Sequence, residues 1–304
     1  MDAERILILG GAGYIGRSLI ELYADTPGLT VVDRVFNPGV VSRLSRLGQH
    51  FAEGDIGDAD LMRRLVVDGA PDIVYLLAGQ IEAETSGERE RLMWEENYEK
   101  PAAVMKLCQP NTRLFFPSSA NVFGGNEDHA DQVYTESCSP QPMYPYAQTK
   151  AAIEVLLAEW GGNYTVARLG TNYGWGPGIR FNLVANLFPK LALQGKLLAV
   201  HGDGSNYRPF VHNQDCARAI KFLSEHEDAE GELYHVVQGN YQINDVADIT
   251  REVAGDTGLR HVAYRRGFAS YQMSSAKLLE LGFEFMWHMD SGIRDIVKHL
   301  KGLA

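Results

Sequence analysis

Short apolar runs alternate with helix-period segments through the first half of the chain. RILIL (5–9) has the pattern of a buried strand, and GRSLIELYAD (16–25) spaces its apolar residues at helical intervals. LTVVD (29–33) predicts a second strand, LMRRLVVDG (61–69) a helix and DIVYLLAG (72–79) another strand. Residues 87–109 read as helical and RLFFPSS (113–119) as a strand. Residues 124–145, with Pro140, Pro142 and Pro145, read as a loop. A helix from Tyr146 and the strand YTVARL (164–169) close the series. Apolar strands separated by helices predict the α/β class, with a doubly wound parallel sheet covered on both faces.

After residue 170 the alternation loosens. YGWGPG (173–178) is turn-rich, NLVANLFPKLALQGK is helical and LLAVHG is a short strand. NQDCARAIKFLSEH predicts a helix and ELYHVV a strand. A helix near 244–255, a strand near 261–265 and a terminal helix from 290 follow. The expected organisation is a first domain over 1–170 and a smaller C-terminal lobe over 171–304. Segments near 202–239 are expected to thread back into the first domain.

Composition narrows the function classes. The chain has 304 residues, 45% hydrophobic and 22% charged, the balance of a globular protein. A net charge of −11 argues against a nucleic-acid binder that neutralises phosphates, while local arginines can still meet a small anion. The N-terminus carries Asp2 and Glu4 where a signal peptide is basic, and no apolar run reaches membrane-spanning length. No membrane partner is expected. Cys108, Cys138 and Cys216 form no CxxC and fit free thiols in a reducing cytoplasm. The nine histidines show no metal-binding spacing, so no metal site is expected. His212 and Asp215 read as a satisfied structural histidine and a helix-starting aspartate.

Two stretches carry chemistry. LILGGAGYIGRSL places Gly10, Gly13 and Gly16 between a strand and a helix. A tight turn and close backbone approach need residues without side chains, and the helix start offers N–H groups to a pyrophosphate. Asp33 ends the second strand, where its carboxylate can accept hydrogen bonds from ribose hydroxyls. Asp55 stands at the third strand's end, either near an adenine amino group or as a turn or cap residue. In MYPYAQTK (143–150), Tyr146 and Lys150 lie one helical turn apart on one face. A nearby ammonium favours the phenolate and makes the tyrosine a usable general acid/base. Ser118 or Ser119 could supply a hydroxyl beside it.

These motifs, with GDI (54–56), LLAG (76–79), SSANVFG (118–124), RLGTNYGWGPG (168–178) and GDGSNYRPFVHNQDCARA (202–219), resemble the extended short-chain dehydrogenase/reductases. Within them, the match is to the NAD-dependent sugar-nucleotide epimerase/dehydratase family, over nearly the whole length. The resemblance implies a Rossmann domain with a smaller C-terminal lobe that binds a nucleotide-diphosphate sugar. It assigns Ser119, Tyr146 and Lys150 to catalysis, with Phe123 where the family usually has tyrosine. It implies an NAD site formed by Gly10, Gly13, Tyr14, Ile15, Gly16, Asp33, Arg34, Asp55, Ile56, Leu77, Ala78, Gly79 and Asn97 with Tyr146 and Lys150. For the sugar nucleotide it points to Asn121, Asn186, Ala199, His201 and Arg208. Thr171 stands where many relatives have asparagine, and Asn172 could take that contact. Arg265 or Arg266 offers a second phosphate-facing guanidinium. Ala120 and Asn121 replace the acidic residues that follow the catalytic threonine in dehydratases. The expected activity is therefore NAD-dependent epimerisation, at C4, with a keto-sugar reductase or dehydrogenase as the alternative and a non-catalytic sensor behind it. The helix from Tyr146 is apolar nearly all round, which with the resemblance predicts a homodimer.

Overall fold

A computed structural model describes residues 4–81, 86–124, 132–263 and 270–302. The chain begins with β1 Ile6–Leu9, α1 Tyr14–Leu22, β2 Leu29–Asp33, α2 Pro38–Arg46 and β3 His50–Glu53. Next come α3 Ala59–Met62, which continues as wider π-helical turns over Arg63–Asp68, and β4 Ile73–Leu76. After α4 Glu88–Trp94 the helix widens again over Glu95–Glu99 before α5 Lys100–Leu107 and β5 Arg113–Ser119. The middle holds β6 Val133–Tyr134, α6 Pro145–Trp160, β7 Tyr164–Leu169, β8 Thr171–Tyr173, α7 Val184–Leu193, β9 Leu198–His201 and β10 Tyr207–His212. The last elements are α8 Asn213–Glu225, β11 Glu232–Val236, β12 Gly239–Gln242, α9 Ile243–Ala254 and β13 Leu259–Val262. They end with β14 Gln272–Met273, α10 Ala276–Glu280 and α11 Met289–Gly302.

The chain divides into two compact units. The first comprises residues 1–122, 142–168 and 217–233; the second comprises 123–141, 169–216 and 234–304. A seven-stranded sheet has the order β11-β7-β5-β4-β1-β2-β3, and the pairings among β1 to β5 are parallel. β1 and β4 are buried at every position, as strands covered on both faces must be. Their apolar side chains pack with Val104, Met105, Ile153 and Leu157 from α5 and α6. The strand order reverses beside β1: β2 and β3 lie to one side, β4 and β5 to the other. In open sheets of this kind ligands bind outside the carboxyl ends at that reversal.

Local sequence sets the helix ends. Asn37 caps α2 by accepting the Val40 N–H at 3.0 Å, with Pro38 in the first turn. Pro145 opens α6, and Gly161 stops it in the left-handed conformation at φ +73°.

In the second unit, α7, α9 and α11 pack on one another around Phe188, Val246, Ile293 and Ile296. This unit also holds a three-stranded sheet β12-β10-β8 and two two-stranded pairs, β13-β9 and β14-β6. The pattern along the chain does not anticipate β8, β10 or β12, and the loop expected over 124–145 contains β6. The strand expected near 261–265 lies at Leu259–Val262. Of the stretch near 202–239, residues 217–233 fall in the first unit and 202–216 and 234–239 in the second.

Candidate active site

The ends of five parallel strands bring the key residues of the first unit to one edge. Gly10 follows β1, Asp33 ends β2, Gly54 follows β3, Leu77 follows β4 and Ser119 ends β5. At Gly10 φ is +89°, and a Cβ would lie 2.4 Å from the Ala78 nitrogen, so two backbones pass where no side chain fits. At Gly16 a Cβ would lie 2.6 Å from the Gly11 Cα, which keeps α1 close against the turn. α1 starts at Gly13 with no side-chain cap and no acidic residue in its first turn. Its positive end is thus available to an anion.

Gly10, Gly13, Asp33, Arg34, Asp55, Ile56, Leu77, Ala78 and Gly79 line one pocket. Tyr14, Ile15 and Gly16 form the first turn of α1 and are not among its lining residues. Asp33 also braces the turn: Oδ2 accepts the Ala12 N–H at 2.9 Å and Oδ1 accepts the Arg34 N–H at 2.8 Å. Lone pairs remain on both oxygens for ribose hydroxyls.

Asn97 lies behind the backbone that follows β4. Its side chain is 2% exposed and is locked to Gln80, donating to the carbonyl at 2.9 Å and accepting the N–H at 2.7 Å. It shapes the backbone after β4 and does not line the pocket.

Ala12, Val35, Gly54 and Glu96 line the pocket and were not anticipated. For Glu96 a signal existed: it stands four residues before Lys100 on a predicted helix. Lys100 Nζ lies 2.5 Å from Glu96 Oε1 and 2.9 Å from Asp55 Oδ1. Arg34 Nη1 lies 3.2 Å from Glu96 Oε2 and 3.9 Å from Asp55 Oδ2. Burial alone would raise the Asp55 carboxyl. Hydrogen bonds from Lys100 and the Gly57 N–H, with Arg34 nearby, outweigh it and hold the group below the usual carboxylate range. Burial pulls Lys100 down, but Glu96 and Asp55 leave it above its ordinary value.

The catalytic candidates sit on β5 and α6, which pack together. Ser118 and Ser119 are separated by their partners. Ser118 Oγ donates to Glu154 Oε1 in the interior, whereas Ser119 Oγ accepts the Asn121 N–H at 3.2 Å. The hydroxyl proton of Ser119 is therefore directed away from that N–H. Tyr146 and Lys150 are both buried, at 9% and 7% exposure. Lys150 Nζ donates to the Pro117 carbonyl at 2.8 Å, lies 4.5 Å from the Phe116 ring centroid and 6.0 Å from that of Tyr146. Burial lowers the Lys150 pKa to about 8, opposed by Glu154 one turn further along α6.

In the second unit, Arg208 on β10 stacks its guanidinium 5.0 Å over the Tyr271 ring. Thr171 and Asn172 lie on β8, which pairs with β10. Asn172 Nδ2 donates to Asn213 Oδ1 at 3.2 Å, and its own Oδ1 is buried without a hydrogen-bond partner among the described residues. Ala199 is exposed on β9, and His201 Nδ1 lies 3.3 Å from the Ala263 carbonyl.

Asn186 lies in the interior of the second unit. It is fully buried, its Oδ1 accepting the Gly174 N–H at 2.9 Å and its Nδ2 donating to the Arg180 carbonyl at 3.1 Å. Arg265 and Arg266 lie outside the described residues. Asp215 accepts the N–H groups of Met286 and Trp287, each at 2.9 Å. His212 stacks 4.2 Å from Trp287, and burial pushes its pKa down to about 3. Its Nε2 is buried without a hydrogen-bond partner among the described residues, so it is not the fully satisfied histidine expected. Among the described residues no cluster of His, Cys, Asp or Glu gathers to hold a metal ion, and no helix is long and apolar enough to cross a membrane.

A model of the NAD dependent epimerase/dehydratase family matches residues 6–237. The chain belongs to this family.

Epimerase/dehydratase relatives match along almost all of it. The dTDP-glucose 4,6-dehydratase of Streptomyces niveus is 30% identical over 306 residues, covering 92% of this chain and 87% of the relative. A trifunctional UDP-glucose 4,6-dehydratase/UDP-4-keto-6-deoxy-D-glucose 3,5-epimerase/UDP-4-keto-L-rhamnose-reductase of Arabidopsis thaliana is 26% identical over 318 residues. That match covers 96% of this chain but only 46% of the plant protein, so the chain spans about half its length. The UDP-glucose 4-epimerase of Thermus thermophilus, solved with NAD, superposes with a TM-score of 0.85 at 25% identity. It covers 99% of this chain and 100% of that one. The family is NAD-dependent, and the bare glycine turn, the open helix start and Asp33 fit the adenosine and pyrophosphate portions of that cofactor.

Proposed function

We propose that the protein catalyses NAD-dependent epimerisation of a nucleotide-diphosphate sugar at C4. Ser119, Tyr146 and Lys150 on β5 and α6 support the proton and hydride chemistry, and the observation that carries the choice of epimerisation is the lack of an acid at positions 120 and 121. Tyr146 takes the proton of the sugar hydroxyl and later returns it. Ser119, whose oxygen already accepts the Asn121 N–H, donates its own proton to the reacting oxygen. Lys150 holds a charge beside the phenol, which eases its ionisation. NAD held at the glycine turn and Asp33 would supply a hydride acceptor for the first half of the reaction and, once reduced to NADH, the hydride donor for the second.

Epimerisation needs no acid beyond these groups, because the keto-sugar only has to present its other face. Dehydration also needs a group that protonates a leaving hydroxyl. The two positions after Ser119 are Ala120, which is buried, and Asn121, and neither carries an acid. In the second unit Arg208 suits a diphosphate, since a planar guanidinium pairs with two phosphate oxygens at once. Thr171, Asn172, Ala199 and His201 are proposed to accompany it on the nucleotide sugar, with Asn121 on the sugar side.

The working form is proposed to be a homodimer in the cytoplasm. α4 and α6 pack side by side, and each leaves an apolar residue in the open: Leu92 at 40% and Val155 at 59% exposure.

The deciding experiment incubates purified protein with nucleotide-diphosphate sugars and catalytic NAD⁺. Interconversion of C4 epimers with no lasting absorbance at the NADH band supports the proposal. Loss of water from the sugar makes it a dehydratase. Stoichiometric NADH consumption on a 4-keto-sugar, with no epimerisation, makes it a reductase.

A further inference from the structure

Arg34 poses a problem at the adenosine site. It follows Asp33 directly, lines the pocket, and has a half-exposed side chain. A guanidinium beside the ribose is the group best suited to a 2′-phosphate. A chain that uses NAD must keep it from that task.

The structure assigns this restraint to Glu96: it holds the Arg34 guanidinium to the pocket wall and so determines the preference for NAD over NADP. The inference rests on reading the pocket as the adenosine site. Glu96 Oε2 lies 3.2 Å from Arg34 Nη1, and the Glu96 side chain is only 10% exposed. Glu96 is itself fixed, because Lys100, one turn on, meets its other oxygen at 2.5 Å. Lys100 in turn meets Asp55 at 2.9 Å, and Asp55 lies 3.9 Å from Arg34. The set thus alternates charge around one wall.

The charges decide the outcome. Asp33, Asp55 and Glu96 bring three negative charges; Arg34 and Lys100 bring two positive ones. A 2′-phosphate dianion meets a wall already one charge negative. To gain Arg34 it must detach the guanidinium from Glu96 and leave a largely buried carboxylate with Lys100 alone, which is costly. It must also come close to Asp33. A 2′-hydroxyl faces none of these penalties. Discrimination therefore comes from the unfavourable state imposed on the wrong cofactor as much as from contacts to the right one.

The test is equilibrium binding of NAD⁺ and NADP⁺, measured by calorimetry without sugar substrate. For Glu96→Gln the ratio of the NADP⁺ to the NAD⁺ dissociation constant should fall by about tenfold, the scale of one freed charge-assisted hydrogen bond. In an Arg34→Ala background the same substitution should move the ratio by less than about threefold, because the residue it releases is gone. Glu96→Asp, which keeps the charge but shortens its reach, should lower the ratio part-way and serves if the glutamine variant folds poorly. An unchanged ratio in Glu96→Gln overturns the inference, as does an equal fall in the Arg34→Ala background, which would be a general charge effect. Asp33→Ala separates this from the reading beneath it. If that variant binds NAD⁺ as tightly as the parent, the pocket is not the adenosine site; if it loses NAD⁺ while the Glu96 variants leave the ratio unmoved, only the restraint is wrong.

Discussion

Arg168 grips Glu154 at two points, Nη2 to Oε2 at 2.7 Å and Nε to Oε1 at 3.0 Å, with both side chains almost fully buried. Glu154 also accepts from Ser118 and lies one turn beyond Lys150. A buried carboxylate is tolerated here because its neighbours satisfy it. Removing Arg168 strands it. Arg168→Met is expected to lower stability by about 3–5 kcal/mol, the usual penalty for an orphaned buried charge. Urea denaturation measures it; a loss within the scatter of surface substitutions shows that Glu154 finds another partner.

Lys150 gives stability a particular pH dependence. Burial lowers its pKa from 10.5 to about 8, with Glu154 opposing the shift. Between these values the unfolded chain holds a proton that the folded chain has released. The penalty of burying Lys150 is thus full below about 8 and is relieved as pH rises towards 10.5. Unfolding free energies of the parent and Lys150→Met, taken on both sides of this window, isolate the effect because other groups cancel. The difference should move in the parent's favour with rising pH. A flat difference, or one moving the other way, contradicts it.

Tyr146→Phe removes the proton carrier and keeps the ring. Turnover should fall by at least ~10²–10⁴-fold, the typical worth of general acid–base catalysis. Ser119→Ala deletes one hydrogen bond to the reacting oxygen and should cost less. Steady-state rates with an interconverted sugar nucleotide decide this, and near-normal turnover of the Tyr146 variant removes the mechanism.

Gly10→Ala puts a Cβ 2.4 Å from the Ala78 nitrogen, at a φ of +89°. The backbones must part, and the bare floor of the cofactor turn goes with them. NAD⁺ affinity by calorimetry should drop by about tenfold or more, since a strained left-handed residue alone costs on the order of 1–3 kcal/mol. Unchanged affinity and melting temperature would show that the turn relaxes freely.

Val155→Glu and Leu92→Glu each place a charge on an exposed apolar position of α6 or α4. Light scattering should show a dimer for the parent at micromolar concentration and a monomer for the double variant. A monomeric parent sinks the dimer proposal.

Much of the first unit is legible along the chain because local rules and the fold agree there. β1 and β4 are apolar throughout since both faces are covered, and the glycine turn follows β1 directly. The one-turn spacing of Tyr146 and Lys150 on α6 is readable along the chain. The second unit hides its sheet, because YRPFVH (207–212) carries a proline and becomes a strand only by pairing with β8 and β12. Polar side chains are hard to read in another way. Asn97 and Asn186 read as ligand contacts, and in the structure each amide is hydrogen-bonded to backbone. Nothing local distinguishes an amide that faces a ligand from one that closes a loop. For Glu96 the spacing to Lys100 is readable along the chain, but the pairing with Arg34, sixty-two residues away, is not.

The route of the chain constrains how such a protein can be cut and recombined. Six alternating segments build the two units, so the polypeptide passes between them five times. Severing it after residue 170 would take away the hydroxyl of Ser224 that meets Tyr75 and the Ala229 carbonyl that receives Thr165. The truncated fragment would keep β7 and lose its sheet neighbour β11. A gene crossover at any single point leaves at least one unit assembled from two parents. Neither unit of this chain can therefore be exchanged whole through one crossover.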